Sequence, residues 1–169
     1  MATGADAVPD GEYVLDTAQS VFSFGATAFL LLPVKGTLRA RAGSMSVADG
    51  KVAAEGSADA ASVATGIKAR DWHLRYKHYL HAAANPEIRL VIPAVALDAD
   101  TVVATLHARG RSAEVPLALE SLVVSPDGTL QARLTGSFDR TPLRMLHRLG
   151  GVSRRIQLSF DVVARRQPR

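Results

Sequence analysis

The sequence predicts an all-β domain, an antiparallel barrel of about eight or nine strands with two or three short helices. Apolar and polar residues alternate with a period of two along most of the chain. Short turn motifs separate these segments, and short turns join antiparallel neighbours, because parallel neighbours need a long crossover. The length of 169 residues fits one domain. Closure into a barrel would remove the exposed edges of so long a meander.

The first ten residues lack an apolar run and contain no Lys or Arg. We therefore interpret residues 1–10 as a flexible leader, residues 11–165 as the barrel domain and residues 166–169 as a tail. Because the basic and apolar regions of a secretory signal are missing, we expect a cytoplasmic protein. The most apolar stretch, residues 29–34, is far shorter than the ~20 residues of a membrane-spanning helix, so we expect no stable membrane insertion.

The alternating segments define the predicted strands in chain order. Each segment has one apolar face, which we expect to point into the barrel, and one polar face, which we expect to contact water. Turn-forming sequences such as Ser125-Pro126-Asp127-Gly128 separate the segments. The predicted strands are residues 13–16, 21–30, 37–42, 52–57, 88–97, 102–109, 114–120, 130–138 and 156–162.

Two stretches break the alternation and predict short helices. Residues 69–84 are rich in helix formers and stop before Asn85-Pro86, where the proline disfavours helical backbone in the residue before it. Residues 142–149 begin with a proline, which suits a first helical turn, and are followed by Gly150-Gly151.

The predicted inner face is unusually rich in small residues. An eight-stranded barrel is either filled by its own side chains or holds one small ligand, and the size of the inward side chains decides which. Small linings leave volume, but Trp72, Leu74, Leu143 and Met145 in the connecting segments would be able to fill it. The residues alone leave both alternatives open. The small inward positions are Ala26, Ala28, Ala40, Ala42, Ala104, Ala108, Ala132 and Gly136.

Composition argues against several classes of function. The absence of cysteine excludes disulfides, Cys-ligated metals and a Cys nucleophile. A net charge of +4, dispersed basic residues and 5% aromatics are a weak pattern for nucleic-acid binding, so we expect no such partner. The sequence contains no G-x-S-x-G elbow and no phosphate-binding glycine loop. We therefore expect neither an enzyme nor a cofactor.

A histidine cluster raises the question of a metal site. On a helix, His78 and His81 would share a face, but His73 would lie roughly 140° away from His78. Asp71 is the only further candidate ligand nearby, and a structural zinc needs four ligands with a supporting second shell. We expect no bound metal.

One run of residues resembles the central R-D-x-H-L signature of the YceI-like family. It is followed at the family's spacing by an aromatic–apolar pair and by a proline that opens a strand. Weaker matches occur in order on both sides, including the opening strands and a V-x-G-x turn. The central residues are Arg70-Asp71-Trp72-His73-Leu74, Tyr79-Leu80 and Asn85-Pro86, and the flanking ones are Tyr13-Val14-Leu15-Asp16, Val21-Phe22-Ser23-Phe24, Val34-Lys35-Gly36 and Phe138-Asp139-Arg140.

The resemblance implies an extended, lipocalin-like antiparallel barrel of eight strands whose elongated apolar cavity binds a polyisoprenoid or similar amphiphile. It favours an open cavity and a non-enzymatic role in binding, transport or sequestration of that molecule. A homodimer is kept as an open alternative. On the cavity wall we place Phe22, Phe24, Phe29, Leu38, Leu90, Leu106, Leu117, Leu134 and Phe160.

The polar candidates for the cavity mouth are Arg70, Asp71, His73, Arg140 and Arg144. Adjacent residues on a helix do not face each other, so Arg70 and Asp71 are expected to bond to a neighbouring segment, which favours a structural role. His73 is expected to be a hydrogen-bonded histidine of the interior. Arg140 and Arg144 either belong to a solvated basic face or meet a diphosphate or carboxylate head group, because a guanidinium matches those oxygens.

Two other functions compete with ligand binding. In the first, the barrel is filled and its basic face binds an acidic partner or an anionic membrane surface. In the second, the cavity belongs to an isomerase or hydrolase, which would need a titratable group facing inward.

Overall fold

The computed structural model describes residues 2–3, 8–28, 32–145 and 152–168. Within them, the chain forms ten β-strands, one α-helix and one 3-10 turn. The strands are β1 Ala2–Thr3, β2 Gly11–Leu15, β3 Val21–Ala28, β4 Leu32–Ala48, β5 Lys51–Ala64, β6 Glu87–Ala96, β7 Thr101–Ala108, β8 Arg111–Val124, β9 Thr129–Asp139 and β10 Arg155–Arg166. Helix α1 spans Lys68–Arg75, and the 3-10 turn spans Thr141–Leu143.

The strands close into an antiparallel barrel with eight positions. Strands β2 and β3 together fill one position, because both pair with β4 on one side and with β10 on the other. From β4 to β10, each strand pairs with the next along the chain. The short strand β1 is an addition that pairs with the end of β8. The predicted all-β antiparallel barrel is therefore confirmed.

Several strands are much longer than predicted, and β4 shows why. It spans 17 residues, whereas the alternation predicts only residues 37–42. Its pairing with β5 shifts register between Thr37 and Arg39 and again between Ala40 and Ala42. Each irregularity of this kind moves the following side chains to the opposite face of the strand. The period-two pattern is therefore interrupted although the strand itself continues.

The prediction of two or three short helices is wrong in number, because the described residues contain one α-helix. The helix predicted over 69–84 ends at Arg75. The backbone of Tyr76 is extended, and the backbone of His81 is left-handed with φ 48°. This turn buries Tyr79 to 4% exposure, so tertiary packing overrides helix propensity. The second predicted helix, 142–149, is a 3-10 turn up to Leu143; residues 146–149 lie outside the described residues.

The connections between strands alternate between the two ends of the barrel. One end, the turn end, holds the tight turns at 49–50, 97–100 and 125–128 together with residues 8–10. The opposite end, the helix end, holds the connections at 65–86, 109–110 and 140–154, which include α1 and the 3-10 turn. A cluster of buried side chains packs at the turn end: Val8, Tyr13, Val47, Val124, Leu130 and Ala164.

Closure is weakest between β6 and β7. These strands pair only at Arg89–His107, Leu90–Leu106 and Val91–Thr105, whereas β6 pairs with β5 along nearly its whole length. Pro93 lies two residues beyond the last paired position, Val91, and has no N–H to donate to a neighbouring strand. The two strands therefore separate toward the turn end. We call this gap the β6–β7 seam.

Candidate functional site

A cavity of about 790 Å³ occupies the barrel interior. This volume lies within the ~300–1,000 Å³ that is typical of ligand sites. Every strand position of the barrel contributes to its wall, and most wall side chains are apolar. The interior is thus not filled by side chains, which decides between the two alternatives that the residues left open.

The aliphatic and aromatic residues predicted for the cavity wall are on it wherever the structure describes them. Phe29 lies outside the described residues. The rings of Phe22 and Phe160 meet edge to face, with centroids 5.4 Å apart, and so build one wall from two neighbouring strands. The wall residues from this predicted set are Phe22, Phe24, Leu38, Leu90, Leu106, Leu117, Leu134 and Phe160.

Strand β10 shows how the alternation makes the wall apolar. Its alternate residues Ile156, Leu158, Phe160, Val162 and Ala164 all line the cavity. Between them, Asp161 points outward and forms an ion pair with Arg133 of β9, at 2.7 Å between Oδ1 and Nε. Successive side chains of a strand point to opposite faces. The same strand therefore supplies apolar residues to the cavity wall and charged residues to the outer surface.

Residues from the connections complete the wall at the helix end. Leu74, Leu143 and Met145 line the cavity there, together with Tyr79. Trp72 does not fill the interior, because it lies on the outside of α1 with 60% of its surface exposed. The connecting segments therefore line the cavity end and leave its central volume open.

A hydrogen-bonded cluster fixes α1 against the end of β5. The Thr65 hydroxyl donates to Asp71 Oδ1 at 2.5 Å, and the Thr65 amide donates to the same oxygen at 2.8 Å. Arg70 donates from Nε to the Thr65 hydroxyl at 2.8 Å and from Nη2 to the Thr65 carbonyl at 2.9 Å. As expected, Arg70 and Asp71 bond to a neighbouring segment and not to each other.

The same contacts set the ionisation of Asp71. The hydrogen bond from the Thr65 hydroxyl holds the pKa of this carboxyl below its usual value, although partial burial acts in the opposite direction. Of the two neighbours, Arg70 lines the cavity and Asp71 does not. Asp71 can thus act on the cavity only through Thr65, which holds the Arg70 side chain in place.

Arg140 is the one charged side chain that is buried, among the residues the structure describes, with 5% exposure. Its guanidinium lines the cavity and donates to three backbone carbonyls of the β9–β10 connection: Ser153 at 2.9 Å, Val152 at 2.9 Å, and Met145. None of the ion pairs in the described part of the chain involves Arg140. A buried positive charge therefore sits in a wall that is mostly apolar.

Tyr79 lies close to this charge and contacts a second ring of the wall, His73. Tyr79 lines the cavity and packs edge to face on His73, which also lines it, with ring centroids 5.6 Å apart. Burial raises the pKa of Tyr79 above its ordinary value, and the positive charge of Arg140 opposes that shift. Tyr79 is not among the site residues predicted from the sequence, although it belongs to the aromatic–apolar pair that follows the R-D-x-H-L run.

Arg144 lies off the wall. Its backbone is left-handed, with φ 59°, and its carbonyl accepts a hydrogen bond from Arg109 Nη1 at 2.8 Å. His78 and His81, the other members of the histidine cluster, do not line the cavity either. Across the described ranges, no group of three or more His, Asp or Glu side chains could hold a metal ion. In the same ranges, no helix is both long and apolar enough to span a bilayer.

Among the described residues, the cavity wall includes exposed side chains near both ends of the barrel. At the helix end, its wall includes the exposed residues Leu32, Pro33 and Ala69, which lie at the start of β4 and on α1. At the β6–β7 seam, its wall includes the exposed residues Ala96 and Asp100. The cavity thus runs from the polar groups beneath α1 toward the turn end.

Comparison with known proteins relates this architecture to one family. The family model of the YceI-like domain matches residues 13–164. No curated protein sequence matches the chain.

Solved structures share the fold. The crystal structure of Burkholderia cenocepacia BcnA has a TM-score of 0.73 at 17% identity, covering 88% of this chain and 98% of the other. A polyisoprenoid binding domain from Saccharophagus degradans has a TM-score of 0.72 at 16% identity, covering 92% and 98%. The Campylobacter jejuni YCEI protein has a TM-score of 0.55 at 18% identity, covering 69% and 73%.

Proposed function

Because the chain belongs to the family of the YceI-like domain, we propose that it binds one long apolar molecule of the polyisoprenoid class in the barrel cavity. The observation that carries this proposal is the open cavity of about 790 Å³ with its almost wholly apolar wall. The similar Saccharophagus degradans structure is described as a polyisoprenoid binding domain, which supports the same class of ligand. We further propose carriage or sequestration of the ligand without a chemical reaction.

The shape of the cavity favours a chain over a compact ligand. The wall positions of β10 run from Ile156 to Ala164, which corresponds to about 26 Å along the strand at ~3.3 Å per residue. An extended hydrocarbon along this path would bury its surface against side chains from every strand. Each buried square ångström contributes about 25 cal/mol, less the cost of ordering the chain.

We place the polar head of the ligand at the helix end, among Arg70, His73 and Arg140. The three carbonyls satisfy hydrogen bonds of Arg140, but no described ion pair balances its buried charge, so an anionic head group beside it would be stabilised. The fork of Arg140 matches a diphosphate or carboxylate. In this proposal Asp71 acts as a positioning residue through Thr65, and Arg144 makes no contact with the ligand.

The ligand class can be tested on the purified protein. Organic extraction followed by mass spectrometry should release a long-chain lipid, and titration with a fluorescent prenyl chain should saturate at one molecule per barrel. The absence of extractable lipid together with non-saturable binding would refute the proposed function.

The head-group position needs a separate test, because Arg140→Ala would leave three carbonyls without their donor and so perturb the fold. Arg140→Lys keeps the charge and loses the fork. We expect this variant to bind a prenyl diphosphate less tightly while its affinity for the matching prenyl alcohol stays the same. Arg144→Ala, off the wall, is the matched control. Equal weakening for both ligands would place the head group elsewhere.

The remaining expectations stay predictions. A cytoplasmic location is tested by cell fractionation, and a homodimer by sedimentation velocity. The alternative of a filled barrel that acts only through a basic face is not supported by the open interior. The enzymatic alternative would need a bound prenyl compound to be altered during incubation, which mass spectrometry of the recovered ligand would detect.

A further inference from the structure

The outer face of α1 carries large apolar side chains that the cavity does not use. Trp72 is 60% exposed and Tyr76 is 44% exposed. Their rings stack with centroids 5.3 Å apart and an interplanar angle of 16°. Ile67, just before the helix, is 53% exposed. Clustered exposed aromatics are unusual on a free protein surface and mark interaction sites.

Basic side chains are concentrated in the connections at the helix end. In their described parts, these connections carry eight basic and one acidic side chain, whereas those at the turn end carry five acidic ones, next to the strand residues Lys51, Arg165 and Arg166. The basic side chains are Lys68, Arg70, Arg75, Lys77, Arg109, Arg140, Arg144 and Arg154, and the acidic one is Asp71. At the turn end the acidic side chains are Asp10, Asp49, Asp98, Asp100 and Asp127.

The aromatic pair lies within the basic end. Lys68 and Lys77 are exposed on either side of it, and the Lys77 ammonium lies 5.7 Å from the centre of the Tyr76 ring. Tryptophan and tyrosine suit the headgroup region of a bilayer, because one part of each ring system is apolar and the other can hydrogen-bond. Lysine and arginine close to them are attracted by anionic lipids.

From this arrangement we propose that the helix end docks on the surface of an anionic lipid bilayer, with Trp72 and Tyr76 entering the headgroup layer. At the turn end the five aspartates offset Lys51, Arg165 and Arg166, whereas the helix end has a clear excess of positive charge, so the molecule is oriented with its helix end toward the lipid. The exposed wall residues Leu32, Pro33 and Ala69 at the helix end then face the bilayer. The proposal goes beyond the proposed function, because docking requires no occupant in the cavity.

The experiment uses the emission of Trp72, the single tryptophan of the chain. The full-length protein is titrated with vesicles of equal parts phosphatidylglycerol and phosphatidylcholine, and with vesicles of phosphatidylcholine alone. We expect a blue shift and cosedimentation with the anionic vesicles, both lost as salt rises, because exposed charges are screened. Phosphatidylcholine vesicles are expected to leave the emission unchanged.

Variants separate the aromatic from the electrostatic contribution. Lys68→Gln and Lys77→Gln should each weaken binding about fivefold, and Tyr76→Ser should weaken it while Trp72 still reports. Trp72→Ser is followed by cosedimentation alone. Val103→Ser, an equally exposed apolar residue on β7, and Lys51→Gln at the turn end are the matched controls and should bind like the parent protein.

Three outcomes would overturn the proposal: no binding to anionic vesicles at low salt, equal binding to neutral vesicles, or equal loss in the control variants. Self-association that is abolished by Trp72→Ser, without vesicle binding, would assign the face to a second copy of the chain. Titration of the fluorescent prenyl chain in the same variants keeps the two proposals apart, since a docking variant should retain the cavity's affinity.

Discussion

Gly136 allows β8 and β9 to approach more closely than any other residue would. It pairs with Leu117, and an added Cβ would lie well under 3.0 Å from the Pro116 carbonyl oxygen and 2.9 Å from Leu117 Cδ2. The Pro116 oxygen belongs to the backbone, so it cannot give way unless strand β8 itself moves. We therefore expect Gly136→Ala to force the two strands apart and to destabilise the barrel.

The size of this effect follows from the packing. Overpacking of this kind costs about 1–3 kcal/mol. The unfolding entropy of about 2.1 cal/mol/K per residue over 169 residues amounts to about 0.35 kcal/mol/K. The Tm of Gly136→Ala should therefore fall by about 3–9 °C.

Gly56→Ala is the matched control, because Gly56 also lies inside a strand. There the nearest atom to an added Cβ is the Ala42 carbonyl oxygen at 3.7 Å, an ordinary contact. Alanine also loses less conformational entropy on folding than glycine, so this variant should gain about 0.5–1 kcal/mol. Thermal and urea unfolding followed by circular dichroism measure both variants. Equal destabilisation of the two, or an unchanged Gly136→Ala, would refute the reasoning.

Two further predictions concern the cavity and Asp71. In Ala132→Trp, the indole should fill the part of the cavity beside Val162 and Leu122. If it excludes even two methylene groups of a long prenyl alcohol from the cavity, binding is weakened by about 1.6 kcal/mol, or about fifteenfold in affinity. Gln131→Trp, on the outer face, should bind the prenyl alcohol like the parent protein in the same titration. An equal loss of affinity in the two variants would contradict the assignment of Ala132 to the cavity. Because folding lowers the pKa of Asp71, its stabilisation is complete above the unfolded value near ~3.9 and is lost as pH falls through the folded value. Asp71→Asn should therefore flatten the acid limb of stability against pH, and an unchanged limb would exclude this contribution.

The barrel could be predicted because its signal is local. Side chains on a strand alternate between two faces, so positions such as Leu134 and Phe160 are assigned to the wall by their place in the pattern. The prediction failed where a non-local contact controls the backbone. The segment after Arg75 contains strong helix formers, yet burial of Tyr79 against the barrel ends the helix there. The irregular pairing of β4 with β5 hides the true length of both strands for a similar reason.

The polar end of the cavity was only partly predictable. Arg70, His73 and Arg140 were singled out from the sequence and lie on the wall, whereas Asp71 and Arg144 were singled out and do not. Neighbours in sequence separate in this way because α1 presents successive side chains in different directions. The three carbonyls that accept hydrogen bonds from Arg140 belong to the β9–β10 connection. The path of this connection depends on the whole barrel, so these contacts cannot be predicted from residue spacing.

The sequence by itself determined that the chain is an antiparallel barrel with an apolar interior, because the inward or outward direction of a strand residue follows from its position in an alternating pattern. Only the tertiary structure decided that this interior is open, that a buried arginine borders it, and that basic and acidic connections gather at opposite ends. These properties depend on the distance between strands that are far apart in sequence and on which connections share an end. The cavity volume and the separation of charged connections are therefore consequences of barrel closure. A local sequence pattern carries no information about either.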